Sequence, residues 1–135
     1  MSLLRRIWKW LQARTTPYGA VSVDQFWYLT TYTGEHVDDD LDGVIDVDII
    51  TPSTDKSIIS FMTAISTDSG AGEVELRFKT SDQLVAKIYP IRFFRSGLIY
   101  SKVKGNVNEP LSLVATDLDP GSKVFVAVLY VEVQS

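Results

Sequence analysis

The chain contains no cysteine and a single histidine, His36, among 135 residues. The first absence excludes disulfide stapling, thiolate-held zinc and a cysteine nucleophile. The second leaves no histidine pair to hold a metal and one imidazole for base chemistry, on a residue read as a surface histidine. Gly-x-Ser-x-Gly and the P-loop are missing as well. Apolar runs fall well short of the roughly 20 residues that a membrane-spanning helix needs. Lys9 interrupts the N-terminal apolar stretch and no cleavage site of the expected kind follows it, so the chain is expected to be made in the cytoplasm and not exported by a signal peptide. A net charge of -4 argues against nucleic acid as a partner, because such binding needs cations that displace counterions from phosphates. Two carboxylates alone can hydrolyse a glycoside, but no acid here stands out in an apolar setting that would raise its pKa, and the chain reads as non-enzymatic.

An apolar fraction of 45% and a charged fraction of 22% are those of an ordered globular chain. Its length suits one domain with an appendage. The appendage is residues 1–16. Ser2 is placed to cap a helix that runs to about Arg14, where Thr15-Thr16-Pro17 stops it. Leu3, Leu4, Ile7, Trp8, Trp10 and Leu11 share one side of that helix, and Arg5, Arg6, Lys9 and Gln12 the other. Such a helix suits three roles: packing on its own domain, docking into a partner's groove through Leu4, Ile7, Trp8, Trp10 and Leu11, or lying on a membrane surface.

After Pro17 the apolar pattern takes period two and keeps it. Strands are predicted at Gln25–Tyr32, Val44–Ile50, Ser57–Ser66, Glu73–Lys79, Gln83–Tyr89, Arg92–Val103, Leu111–Thr116 and Lys123–Gln134. Glu73–Lys79 alternates cleanly and should have one wet face. Val124–Val131 is apolar on both sides and should be covered on both, as a central strand or at a subunit contact. Eight short strands with turn signals between them predict an all-β domain over residues 17–135, an eight-stranded antiparallel β-sandwich of jelly-roll type, with an immunoglobulin-like arrangement as the alternative.

The sharpest chemical signal is Asp38-Asp39-Asp40-Leu41-Asp42-Gly43-Val44-Ile45-Asp46-Val47-Asp48, six carboxylates in eleven residues. Asp38, Asp40, Asp42 and Gly43 fill positions 1, 3, 5 and 6 of a calcium loop, Val44 offers its carbonyl at position 7, and Asp46 or Asp48 supplies a late carboxylate. The stretch resembles the Asp-x-Asp-x-Asp-Gly loops of EF-hands and dockerins. Ile49 stands where an EF-hand has its bidentate glutamate, and strands rather than helices flank the loop, so the resemblance implies a mode of Ca2+ ligation and no sensor fold. The plain alternative is a solvated acidic turn that discourages edge pairing. Aromatic residues at 26–28, Tyr32, Tyr89, Phe93-Phe94, Tyr100 and Tyr130 read as core at this spacing; on one open face they would form a sugar-binding platform.

The closing segments Asn108–Thr116 and Gly121–Glu132, NEPLSLVAT and GSKVFVAVLYVE, resemble the last hairpin of small jelly-roll structural proteins of tailed phages and other virus particles, such as capsid decoration or minor virion proteins. That resemblance implies a non-enzymatic homo-oligomer, a trimer in particular, attached to a larger shell by an N-terminal arm and located in the virion. Two rivals stand beside it: a calcium-dependent carbohydrate-binding or adhesion module, and a peripheral membrane protein anchored by the helix.

Overall fold

The computed structural model describes residues 29–134. The helix expected over residues 2–14, its contact residues Leu4, Ile7, Trp8, Trp10 and Leu11, the aromatic residues 26–28 and the boundary at residue 16 all lie outside them. Within the described residues there are eight strands and no helix. They are β1 (Thr30–Val37), β2 (Ile45–Ile50), β3 (Lys56–Thr67), β4 (Glu73–Phe78), β5 (Leu84–Ile88), β6 (Ser96–Lys104), β7 (Leu111–Thr116) and β8 (Lys123–Gln134).

Two four-stranded sheets result, β1-β8-β3-β6 and β2-β7-β4-β5. β1 lies beside β8, β2 beside β7, β3 beside β6 and β4 beside β5, as though one long hairpin had been wrapped around a barrel. This is the strand order of a jelly roll, and it sets aside the immunoglobulin-like alternative. Because consecutive strands reverse direction, the β1–β2, β3–β4, β5–β6 and β7–β8 connections gather at one end and the β2–β3, β4–β5 and β6–β7 connections at the other.

Inward side chains of both sheets meet in one core, with Val74, Leu76 and Phe78 from β4, Leu111 and Leu113 from β7 and Val124, Val126 and Val128 from β8 all buried. Each such side chain contributes roughly 1.5–3 kcal/mol. Ile58 and Ile65 of β3 both join that core, although an odd separation in a regular strand would send them to opposite faces. Against β8 the register slips between Ser60, opposite Tyr130, and Met62, opposite Leu129, so Phe61 is an extra residue there, a bulge that resets the alternation. The outer face of β4 carries Arg77 on Glu75 at 2.6 Å and on Asp82 at 2.7 Å, and Lys87 of β5 reaches Glu73 and Glu75 at 2.9 and 2.8 Å. These partly exposed pairs solubilise the sheet more than they stabilise it.

Three expectations change. The first strand runs past the expected end at Tyr32 to Val37, because β1 pairs with β8 up to the acidic loop, while residues 25–28 of the expected strand lie outside the described residues. The sixth begins at Ser96 rather than Arg92: Ile91 and Phe94 exchange backbone hydrogen bonds of 3.0 Å and make residues 91–94 a tight turn. Tyr32 and Tyr130 pack against the core as expected, but Tyr89, Phe93, Phe94 and Tyr100 are exposed. Phe93 and Phe94 sit in that turn, and Tyr100 faces outward on an edge strand. β8 is central, one of the two placements its composition allowed, yet only its inner face is sealed, for Phe125 is exposed on the other.

Candidate functional site

The loop between β1 and β2 is built around Asp38, which is 1% exposed. One carboxylate oxygen accepts the Gly43 N–H at 2.7 Å and the Gly121 N–H at 3.1 Å; the other accepts Asp42 N–H at 3.3 Å. The Asp38 N–H donates to the Ser122 carbonyl at 2.9 Å, and Leu118 N–H donates to the Gly43 carbonyl at 3.0 Å. The β1–β2 loop is thereby stitched to the β7–β8 turn. Gly43 has φ of +75°, and a Cβ there would lie 2.6 Å from the Leu118 carbonyl oxygen, so only glycine fits. Asp42 in turn accepts the Val44 N–H at 2.9 Å.

Local turn chemistry therefore folds the loop so that oxygens of Asp38, Asp40 and Asp42 lie within 4.8 Å of one another. Burial pushes the Asp38 carboxyl up, but the Gly121 and Gly43 N–H groups, with help from Asp40 and Asp42, outweigh it and hold the group below the ordinary carboxylate range. Asp40 moves the other way, raised by its contacts with the Asp38 and Asp42 carboxyls. Three acids crowded this closely repel one another when all are ionised.

The remaining predicted ligands are divided. Val44 and Asp46 line the same open cleft as Asp40 and Asp42, a depression of about 700 Å³ whose wall also includes Glu35 and Asp39. Asp48 is turned elsewhere: it accepts from the Ser112 hydroxyl at 2.7 Å and from Lys79 at 3.1 Å, and these bonds, the Ser112 hydroxyl first, lower its pKa. Its partners stand on β7 and beyond the end of β4, so it does not join the grouped three. His36 bonds the Tyr32 hydroxyl through Nε2 at 2.8 Å, its ring stacked on that tyrosine.

Two features escaped the sequence reading. Glu109, 2% exposed, mirrors Asp38 at the opposite end. It accepts N–H groups of Asn106 at 2.7 Å, Thr80 and Ser81, and the Ser81 hydroxyl at 3.0 Å, which ties the β4–β5 turn to the β6–β7 loop. A glutamate directly before Pro110 in a polar loop gives no sign that it will be buried. The second is the exposed cluster in residues 89–100. Its signal was Ile91-Arg92-Phe93-Phe94 between Pro90 and Gly97, punctuation that favours a turn over a strand start.

No protein-family model matches the chain, and no curated protein matches it in sequence. In structure the chain is similar to one chain of the acidic stable capsid of Helicobacter pylori bacteriophage KHP30, with a TM-score of 0.56 and 11% identity over 79% of this chain and 94% of that one. At that identity the likeness is one of fold. A chain of the virus-like particle of the extra small virus of the prawn Macrobrachium rosenbergii (TM-score 0.35, 16% identity, 76% and 78% covered) and a family 29 carbohydrate-binding module (0.34, 14%, 70% and 64%) are too distant to add to it.

Proposed function

We propose that the chain is a non-enzymatic structural protein of a virus particle, an oligomeric capsid decoration or minor virion component. The observation that carries this reading is the likeness of fold to the phage capsid chain, which extends over 94% of that chain. It is supported by what the buried carboxylates do: Asp38 and Glu109 are spent on backbone N–H groups, as scaffold residues are. The self-assembled form is a ring, a trimer in particular, and the N-terminal helix docks on neighbouring subunits through Leu4, Ile7, Trp8, Trp10 and Leu11. Size-exclusion chromatography with light scattering on the full chain tests it: a multiple of 15.1 kDa is expected, and a monomer at every concentration would sink the reading.

A second reading has its own observation, the grouping of Asp38, Asp40 and Asp42. Calcium bound there, completed by the Val44 carbonyl and Asp46, would neutralise the crowded acids and set the loop's shape, as in a calcium-dependent adhesion or carbohydrate-binding module. A titration with CaCl2 that leaves the melting temperature unmoved at millimolar ion would remove it, because an ion that binds the folded state must stabilise that state.

A further inference from the structure

The sandwich has two flanks where the sheets' edge strands come together, and the segments that form them are of opposite charge, with Lys123 on Glu35 of one and Glu73 and Glu75 on Lys87 of the other. On one, β1 and β2 with their loop present Glu35, Asp39, Asp40, Asp42 and Asp46 around the cleft, whose apolar parts include Val37, Val44 and Val47. Residues 35–48 contain seven acids and no lysine or arginine. On the other flank, β5 and β6 are the edge strands, clamped together where the Ser101 hydroxyl donates to the Val85 carbonyl at 2.8 Å. Residues 83–108, which span them, contain five lysines and arginines and no acid.

That basic flank is also where exposed aromatic surface collects. Phe93 is 80% exposed, Phe94 71% and Tyr100 73%, with Tyr89, Ile91 and Leu98 beside them. The tight turn at 91–94 presents Arg92 and Phe93 at its tip, the guanidinium lying over the Phe93 ring at 5.4 Å. Arg95 anchors the base of this tip through the Asp68 carbonyl at 3.0 Å. The tip is therefore held in shape, which lowers the entropy lost on docking. Large exposed apolar surface marks interaction sites on soluble proteins, and these side chains all belong to β6 and the connection that leads into it. Four aromatic side chains of about 150–250 Å² each, mostly exposed, supply roughly 400–700 Å², which approaches the ~800 Å² per partner of a stable interface.

We propose that the β5–β6 flank docks on the β1–β2 flank of a second copy of this chain, with Arg92 and Phe93 entering the acidic cleft. Arginine and aromatic side chains are what anchor interfaces most strongly, and the cleft offers carboxylates for the first and valines for the second. The two surfaces differ, so the contact is heterologous and repeats from copy to copy until a ring closes. The opposite charges steer the encounter and forbid like flanks from meeting. This rests on the assembly reading above and names the surfaces that it uses.

The test is light scattering on the full chain and on two variants. Arg92→Glu with Phe93→Ser breaks the basic flank; Asp39→Lys with Asp46→Lys breaks the acidic one. All four positions are exposed, and unchanged circular dichroism would confirm folding. With the wild type oligomeric, each variant alone is expected at 15.1 kDa, and an equimolar mixture of the two at twice that mass, since one intact basic flank then meets one intact acidic flank. Tyr100→Ser repeats the test without charge reversal and should weaken the oligomer at least tenfold in dissociation constant. If the wild type is oligomeric and either flank variant keeps its mass, the proposed contact is wrong while the assembly reading stands. A wild type that is monomeric throughout overturns both.

Discussion

The two ends of the sandwich are each held by a single buried carboxylate, and they differ in what surrounds it. At one end Glu109 receives three backbone N–H groups and a hydroxyl. Burial works to raise its pKa, but the Asn106, Ser81 and Thr80 N–H groups with the Ser81 hydroxyl outweigh it and leave the group low. At the other end Asp38 is satisfied in the same manner by Gly43, Gly121 and Asp42, yet Asp40 and Asp42 stand beside it. Among the described residues that trio is the only such grouping. A buried acid is thus a loop staple at either end. The Asp38 end differs in the grouped carboxylates beside it, which are the feature that both the calcium reading and the proposed contact between copies use.

The largest effect is expected from Glu109→Ala, which strands several backbone donors and should cost about 3 kcal/mol or more in urea unfolding. A loss under ~1 kcal/mol would mean that water replaces the carboxylate at that end. Next in size is calcium. At a hundredfold excess over its dissociation constant it should stabilise the wild type by ~2.7 kcal/mol. Asp40→Asn together with Asp42→Asn should abolish that gain, and Glu109→Ala should leave it intact.

A smaller effect separates the ends by pH. Glu109 and Asp38 are held below their unfolded values of about 4.3 and 3.9, so the unfolded chain takes up protons first. The stability they contribute is complete above those values and drains away as pH falls through the folded pKa of each. Asp40 is raised, so its contribution has the opposite sign and declines as pH rises from about 3.9 through its folded value. Asp40→Asn should therefore stabilise the calcium-free protein at pH 7 and lose that advantage in acid, read from urea midpoints at both. A variant less stable than wild type at pH 7 without calcium would show that Asp40 has a stabilising partner. The smallest effect concerns neither end: among the described residues the buried Thr63 hydroxyl finds no hydrogen-bond partner, and Thr63→Val should add about 1 kcal/mol.

Much of the sandwich was legible. Alternation in Glu73–Lys79 placed β4 within one residue, and unbroken apolar residues in Val124–Val131 marked β8 as a strand apolar on both faces, a central strand or a subunit contact, because the pleat sends successive side chains to opposite faces whatever the partner. The crowding of Asp38, Asp40 and Asp42 around Gly43 was legible, although the Gly121 N–H on Asp38 and the Leu118 carbonyl that leaves no room for a Cβ at Gly43 come from the distant β7–β8 turn. The placement of Asp48 was not legible. Its partners Ser112 and Lys79 are distant in the chain, and only the pairing of β2 with β7 and of β7 with β4 brings them near. The same limit hid Glu109: beside the nearby Asn106 N–H, its other donors come from a turn 28 and 29 residues away.

Local pattern and turn chemistry thus settle where this chain forms strands, which faces are apolar and that one loop concentrates acid. Those properties depend on neighbours within a few bonds. Wrapping the strands as a jelly roll settles the rest: it puts the acidic loop on one flank and the Arg92–Phe94 tip on the other. Sequence separation carries no information about which edges end up apart, and it is the closing of the β1–β8 and β4–β5 pairs around one core that does so.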